Sequence, residues 1–322
     1  MRVLLLLVVS LTLVSSQKCR ALVLSGGGSY GSYESGALTG LVNSLPPSET
    51  AYNTIVGISA GSINTLGLSM FPEGQESQGA QYIETLWLNL NGSQNVIQQW
   101  PGGLLAGLTV KSGIYDTTPL NNYLSKSAQL PPARSTLIGA TSLNTGDYVV
   151  FDSDRTIQEM VQVVMASSAI EAVFPPIKIG NDVFTDGGVT MNSDPMSAIE
   201  ECLSFGFNEA DVIVDMVSCY NNGISVDTKG MTTMDVLSRA KEIRSFTGDL
   251  RYIAWATSAY PQADFRYYIQ PSEALPLTSP LDFSTTGIQG SINIGVKDAA
   301  YAVQNNIFMK QVLPSLVDTI YI

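Results

Sequence analysis

The sequence contains no histidine, only three cysteines and few charged residues. Without an imidazole, a Ser-His-Asp triad, a Cys-His dyad and a His-ligated zinc site are all excluded. Three cysteines are also too few for a zinc site built from four thiolates. If the chain is a hydrolase, its general base must therefore be a carboxylate, a lysine or a tyrosine.

Basic residues are scarce as well. The 16 Lys and Arg residues stand against 28 Asp and Glu, which gives a formal net charge of −12. A chain this acidic lacks the basic patches that bind nucleic acid, and anionic membrane surfaces should repel it at long range. Hydrophobic residues make up 45% of the 322 residues and charged residues only 14%, which excludes intrinsic disorder.

Long apolar runs are missing except at the amino terminus. Met1 and Arg2 precede an apolar run over 3–14, which is shorter than the roughly 20 residues of a transmembrane helix. A basic start, a short apolar core and a small-residue end predict a secretory signal peptide over 1–16, cleaved after Ser16. We therefore expect a secreted protein or one in the lumen of the secretory pathway. The alternative, a buried first strand, is less favoured because 21–24 already supplies one.

From residue 20 onward, short β-rich runs alternate with longer helical patterns. The predicted strands are 20–24, 53–57, 135–143, 147–151 and 211–218, and a short strand ends at Asp186. The predicted helices end near Leu45 and Met70 or cover 155–169, 231–259 and about 296–316. This alternation favours an α/β fold with a layered sheet. No linker, charge block or repeat divides 17–322, which predicts a single domain.

A glycine-rich segment, Ser25-Gly26-Gly27-Gly28-Ser29-Tyr30-Gly31, joins the first strand to a helix. It fits the G-x-G-x-x-G pattern of dinucleotide-binding proteins, but that fingerprint needs an acidic residue at the end of the second strand. The second strand ends in Val56-Gly57-Ile58-Ser59 and has none. Alternatively, consecutive glycines direct several N–H groups at one oxygen and form an oxyanion hole. The glycine segment alone leaves both interpretations open.

A second motif, Gly57-Ile58-Ser59-Ala60-Gly61, lies between a predicted strand and an apolar helix. In this context G-x-S-x-G is typical of a nucleophile elbow, a sharp turn that presents the serine hydroxyl at the carboxyl edge of the sheet. The pattern is weak by itself, and an ordinary strand-to-helix turn is the alternative. We expect Ser59 to be a nucleophile.

The serine needs a base, and Thr185-Asp186-Gly187-Gly188 offers an aspartate at a strand end next to glycines that permit close approach. The alternative is a turn aspartate that bonds to its own backbone. Further candidates for the base are Asp116, Asp152, Asp154, Asp182, Asp194 and Lys111.

Taken together, these motifs resemble the patatin-like phospholipases over nearly the whole of 17–322. The segment 26–38 resembles the glycine-rich oxyanion loop of that family, 57–61 its nucleophile motif and 186–188 its base motif. Three further blocks, 114–120, 139–151 and 165–177, are also similar to the family.

The resemblance implies a three-layer α/β/α fold with a central, mostly parallel sheet. It also implies a lipid acyl hydrolase that forms an acyl-enzyme without metal or cofactor. Residue by residue, Ser59 becomes the nucleophile, Asp186 the general base, and Gly26, Gly27 and Gly28 the oxyanion donors. The expected partners are a lipid ester and, transiently, a membrane or micelle surface, with no nucleic acid.

One position departs from the family pattern, since Tyr30 stands where many relatives carry Arg or Lys. The missing cation makes a neutral lipid or galactolipid more plausible than an anionic head group. A patatin-like storage or binding protein with little or no turnover remains the alternative function, because fold alone does not fix activity.

Two further expectations concern the cysteines and an apolar segment. Cys19 precedes the first strand and Cys202 lies late in a helix, so both are expected at the sheet edge opposite the active site and are the most feasible disulfide pair. Cys219 follows a strand and is expected at the active-site edge. The apolar run 104–108 is more often buried core, and the alternative is that it lines an acyl channel or touches lipid.

Overall fold

A computed structural model describes residues 17–221 and 228–309. The predicted signal peptide, residues 1–16, and the last part of the predicted carboxyl-terminal helix, 310–316, lie outside the described residues.

A mostly parallel sheet of eight strands forms the centre of the molecule. Its strands are β1 (Cys19–Leu24), β2 (Thr54–Ile58), β3 (Ser135–Ser142), β4 (Tyr148–Phe151), β5 (Ile177–Ile179), β6 (Asp182–Asp186), β7 (Val212–Val217) and β8 (Asp264–Ile269). The spatial order is β5-β6-β3-β2-β1-β7-β8, and β4 also pairs with β3. The strands β3, β2, β1, β7 and β8 run parallel, whereas β4, β5 and β6 are antiparallel to their neighbours.

Helices cover both faces of this sheet, which confirms the predicted α/β/α fold. They are α1 (Gly31–Ser44), α2 (Pro47–Thr50), α3 (Ala60–Ser69), α4 (Glu76–Asn89), α5 (Gly103–Thr109), α6 (Thr118–Ser127), α7 (Ile157–Ser167), α8 (Pro195–Ser204), α9 (Thr233–Ala259) and α10 (Thr285–Gln304). A large apolar core lies on the face covered by α1, α3, α4, α7 and α10, and a smaller core lies on the face covered by α8 and α9. Because the central strands are buried on both faces, they read as continuous apolar runs.

Several elements differ from the sequence-based expectation: α2, α4, α5, α6 and β5 are additional, α10 ends at Gln304, and the start of α10 and the strand β8 differ for clear physical reasons. α10 begins at Thr285, well before residue 296, because its glycines serve helix packing: a Cβ on Gly295 would lie 2.2 Å from the Tyr33 carbonyl oxygen of α1. β8 was not predicted, since its sequence contains Arg266. The Arg266 guanidinium is buried and donates to Asp215 of β7 at 2.9 Å, so the charge is paired inside the sheet.

The predicted disulfide between Cys19 and Cys202 is confirmed and joins the start of β1 to the end of α8. Cys219 is a buried free thiol. It follows β7, and its N–H donates to Ser25 Oγ at 2.8 Å, so it lies at the carboxyl edge of the sheet as expected.

The interpretation of 104–108 as buried core is wrong. These residues lie in α5, where only Gly107 is buried and the leucines are exposed. The physical reason is that α5 is short and rests on the segment 113–115 through Gly107, which leaves its other side chains in solvent. Within the described residues, no helix is both long and apolar enough to cross a membrane.

Candidate active site

The register of three neighbouring strands brings Ser59 and Asp186 together. Ile58 of β2 is level with Gly139 of β3, and the next residue of β3, Ala140, is level with Asp186 of β6. Ser59, which follows Ile58, therefore lies beside the end of β6. The Ser59 hydroxyl donates to Asp186 Oδ2 at 2.7 Å, and both residues are buried.

Ser59 adopts a strained backbone conformation, with φ 52° and ψ −120°, at the turn from β2 into α3. Such strain persists only when the surroundings hold it in place. The Ser59 N–H donates to Ser167 Oγ at 2.9 Å, and the Ser59 carbonyl oxygen accepts from Ser62 Oγ at 2.6 Å and Ser168 Oγ at 3.1 Å. Three serine hydroxyls thus fix the turn that presents the Ser59 side chain.

The second carboxylate oxygen of Asp186 accepts from the Gly188 N–H at 2.8 Å. Burial raises the pKa of Asp186 above its ordinary value, although Lys241 and the two hydrogen bonds act in the opposite direction. A carboxylate with a raised pKa is a stronger base than an exposed aspartate. The geometry and the electrostatics of Asp186 both suit proton transfer from Ser59.

The glycine loop lies against the same serine, and one of its three predicted donors needs correction. The Gly26 N–H already donates to the Asn192 carbonyl oxygen at 3.0 Å, so it is occupied within the fold. Within the described residues, the N–H groups of Gly27 and Gly28 donate to no other group. Gly28 has φ +59°, and a Cβ there would lie 2.3 Å from the Pro280 carbonyl oxygen, so a glycine is required. Two amides rather than three are therefore available to an oxyanion.

A buried carboxyl group holds the glycine loop from the α1 side. Glu34 accepts from the Ser25 N–H at 2.7 Å and from Asn64 Nδ2 at 3.0 Å. Burial raises the pKa of Glu34 to about 8, although these donors lower it. Ser25 directly precedes Gly26, so Glu34 fixes the point from which the loop leaves β1.

A second buried carboxyl group acts from the opposite side, through Asn192. The Asn192 side chain donates to the Gly26 carbonyl oxygen at 3.3 Å and to Asp249 of α9 at 3.2 Å. Burial raises the pKa of Asp249 to about 7. Gly26 is thus bonded through its N–H and its carbonyl oxygen to one residue, which α9 supports.

An apolar cavity of about 520 Å³ extends from Ser59. Gly28, Ser59 and Ser168 form its polar end, and the remaining wall is almost entirely hydrophobic. The apolar lining consists of Ala60, Ile63, Leu86, Trp87, Leu90, Val96, Leu120, Tyr123, Leu124, Ile170, Phe174 and Phe283. Its hydrophobic lining suits a hydrocarbon chain.

A second cavity, of about 190 Å³, lies behind the first. The two cavities share the wall residues Ile63, Leu86 and Leu124, and the second continues to Met70 and Ala128. These three side chains therefore form the partition between the two spaces.

The other candidate bases have partners of their own and do not bond to Ser59. Asp116 accepts from Thr118, Asp152 pairs with Arg155, and Asp154 donates its N–H to Asp152. Asp182 accepts from Val183, and Asp194 caps α8 and accepts from Tyr148. The Lys111 ammonium lies 4.8 Å from the centre of the Trp100 ring. Over 17–221 and 228–309, no group of three acidic or cysteine side chains is placed to hold a metal ion.

Sequence reasoning missed the residues that support the pair. Ser167 and Ser168 were noted only as part of a similar block, and Glu34, Asn192 and Asp249 were not singled out. Asp249 is far from every motif along the chain, and although Ser167, Ser168 and Asn192 lie in or near similar blocks, no residue pattern there marks them as partners of Ser59 or of the glycine loop. A charged residue in an otherwise uncharged helix was the one available signal for Glu34.

Comparison with known proteins identifies what this chain is similar to. A family model described as patatin-like phospholipase matches residues 22–199. A phospholipase of Pseudomonas aeruginosa, described as cGAMP-activated, is 26% identical over 224 residues, and the alignment covers 66% of each protein. The crystal structure of VipD from Legionella pneumophila aligns with 90% of this chain and 67% of that chain, at 12% identity and a TM-score of 0.43.

The family model covers more than half of the chain and includes the glycine loop, Ser59 and Asp186. Together with the central, mostly parallel sheet, this match confirms the resemblance found in the motifs. The chain therefore belongs to the patatin-like phospholipase family.

Proposed function

We propose that this protein hydrolyses the fatty-acyl esters of lipids, with Ser59 as nucleophile and Asp186 as general base. Family membership supports a lipid hydrolase with a lipid substrate. The observation that carries the residue assignment is the 2.7 Å hydrogen bond from Ser59 Oγ to Asp186 at the polar end of an apolar cavity.

In the first step, Asp186 takes the Ser59 hydroxyl proton as Oγ attacks the ester carbonyl carbon. The N–H groups of Gly27 and Gly28 stabilise the negative oxygen of the tetrahedral intermediate. Collapse breaks the ester bond, the leaving alcohol takes the proton from Asp186, and the acyl group stays on Ser59. Water then gives a proton to Asp186 and attacks the acyl-enzyme, which releases the fatty acid and returns the proton to Ser59.

The acyl chain occupies the cavity behind Ser59, and the head group stays outside. Tyr30, at the position where many relatives have a cation, lies 3.4 Å from the carboxylate of Glu242. Glu242 also pairs with Arg239 at 3.1 Å, so the nearby cation is already neutralised, and a neutral lipid or a galactolipid is the proposed substrate. A membrane or micelle surface is the proposed transient partner.

Secretion, or residence in the lumen of the secretory pathway, is part of the proposal. The Cys19–Cys202 disulfide supports it, because disulfides persist mainly in oxidising compartments. Expression of the whole chain in eukaryotic cells tests this: the protein should appear in the medium or lumen, cleaved after Ser16.

The enzymatic assignment is tested by Ser59→Ala, with Asp182→Asn as a control on the strand that carries Asp186. We expect Ser59→Ala to lower turnover of a short-chain ester at least about 10³-fold, as removal of a serine nucleophile does elsewhere. A fluorophosphonate probe should label the unaltered protein and leave Ser59→Ala unlabelled. A folded wild-type protein that resists the probe and turns over no ester would favour the storage or binding alternative.

A further inference from the structure

Exposed apolar side chains are concentrated on two elements near the cavity. On and just after α5, Leu104, Leu105, Leu108 and Val110 are exposed, with exposed fractions of 71% for Leu105 and 78% for Val110. The first turns of α9 expose Val236 and Leu237. These six residues are called the rim below. Large exposed apolar groups that cluster mark interaction sites more often than isolated ones do.

α5 is connected to the cavity wall by a short series of contacts. Gly107 of α5 packs on the Ile114 carbonyl group, since a Cβ there would lie 2.3 Å from that oxygen. The Ile114 and Tyr115 N–H groups donate to the carbonyl oxygens of Ala172 and Val173 at 3.1 and 3.0 Å. The next residue, Phe174, lines the cavity. The α5 side of the rim is therefore adjacent to the cavity wall.

The α9 side of the rim reaches the same wall segment. Lys241 pairs with Glu171 at 2.8 Å, and Glu171 directly follows the cavity-lining Ile170. Leu237 precedes Lys241 by four residues and thus lies on the same side of α9. The two apolar groups of the rim consequently flank segment 170–174, at the sheet edge where Ser59 lies.

The charge distribution sets the α5 side of the rim apart. The chain carries 28 acidic residues, yet none occurs between Glu84 and Asp116, the stretch that contains α5. The one charged residue there is Lys111. The net charge of −12 repels anionic surfaces, whereas the α5 region itself carries no negative side chain to desolvate.

We propose that the rim docks the protein onto the surface of an electrically neutral lipid aggregate and so places segment 170–174 against the lipid. This proposal rests on the proposed function, because a lipid surface supplies ester to Ser59 from the side that the rim faces. The rival occupant of the rim is a second copy of the chain. It would cover the cavity wall beside Ser59 instead of bringing lipid to it.

The test compares Leu105→Ser/Leu108→Ser with Leu130→Ser/Phe205→Ser. The control residues are also exposed, at 57% and 46%, but Leu130 precedes β3 and Phe205 follows Cys202, at the opposite edge of the sheet. Each pair is placed in the Ser59→Ala background, and flotation with phosphatidylcholine vesicles measures binding. Loss of two exposed leucines that the lipid surface would cover should weaken vesicle binding about ten-fold or more, and the control pair should leave it unchanged.

Binding should also fall when phosphatidylglycerol replaces part of the phosphatidylcholine. With Ser59 restored, the rim variant should hydrolyse a soluble short-chain ester at the wild-type rate and vesicle lipid more slowly. Equal flotation of both variant pairs would overturn the docking proposal. The proposal would also fail if the wild-type protein is a dimer, the rim variant is a monomer, and both bind vesicles equally well. Failure of the wild-type protein to hydrolyse the soluble ester would instead contradict the proposed function.

Discussion

The polar end and the apolar wall of the active-site cavity are built in different ways. The polar end comes from three short segments, each at a strand end, and its geometry depends on short hydrogen bonds such as Ser59 to Asp186 at 2.7 Å. The wall comes from side chains of α3, α4, α6 and the segments around 96, 170–174 and 283, and it contains almost no polar atoms.

The polar end therefore determines the rate of ester cleavage, and the wall determines which acyl chain lengths are accepted. A small displacement at the polar end affects every ester alike, since all of them use the same oxygen and the same two amides. A change of volume in the wall affects only substrates long enough to reach it. The following predictions test this separation, from the largest expected effect on catalysis to the smallest.

Asp186→Asn should abolish turnover of short and long esters equally and, at the same time, stabilise the fold. Because burial raises the pKa of Asp186, the folded state holds the proton more tightly than the unfolded state, and ionisation lowers the free energy of unfolding as pH rises. The variant should gain stability relative to wild type at neutral pH and lose that advantage below the ordinary aspartate pKa. Urea unfolding at pH 7 and pH 3.5 measures this, and a loss of stability at pH 7 would contradict it.

Glu34→Ala should lower kcat about 10- to 100-fold with little change in KM, because the loop amides act mainly on the transition state. Glu34→Gln should lose less, since one of its two polar atoms can still accept from Ser25 while the other faces the Asn64 donor. A merely structural role would lower stability without this division between kcat and KM.

The pH dependence of stability gives a second readout for Glu34. The folded-state pKa of Glu34, about 8, lies above its ordinary value of 4.5, so the wild-type free energy of unfolding should fall as pH rises between these values. Glu34→Gln should remove that part of the slope. An unchanged slope would show that Glu34 does not titrate in this window.

Leu124→Phe should change the preference for acyl-chain length and leave the turnover of short esters unchanged. The larger ring reduces the space behind Ser59, so kcat/KM for long-chain esters should fall about four-fold for each excluded methylene group, at roughly 0.8 kcal/mol apiece. Short-chain esters serve as the internal control and should react normally. The converse change, Leu124→Ala, opens the partition toward Met70 and Ala128 and should favour longer chains; equal effects of either change on short and long esters would contradict the partition.

Cys19→Ser/Cys202→Ser should have the smallest effect on catalysis. Loss of a disulfide costs about 2–5 kcal/mol of stability, but this bridge lies at the edge opposite Ser59. Thermal unfolding should therefore shift downward while kcat per folded molecule stays unchanged at 20 °C. A lower kcat at a temperature where the variant is still folded would contradict this prediction and show that the disulfide affects the geometry at Ser59.

The same contrast explains what could be predicted from the sequence. Ser59, Asp186 and the glycine loop are found in short motifs because a tight turn needs its small residues next to the reactive one. Asn192 bonds to Gly26 across 166 residues and Asp249 bonds to Asn192 across 57, so only the fold reveals these contacts, whereas Glu34 is nine residues from Ser25 and its lone charge in α1 is a local signal. The start of α10 was misjudged because helix packing needs glycines there, and β8 was missed because Arg266 finds its counter-charge on β7.

The disulfide also has a topological consequence. Cys19 and Cys202 close a covalent ring, with a separation of 183 residues, and that ring contains the glycine loop, Ser59 and Asp186. The exposed turn at 72–75 lies inside it. Cleavage of one peptide bond at that turn opens the ring, but the disulfide still joins the two fragments. The cleaved molecule therefore keeps all three motifs and separates into two polypeptides only under reducing conditions.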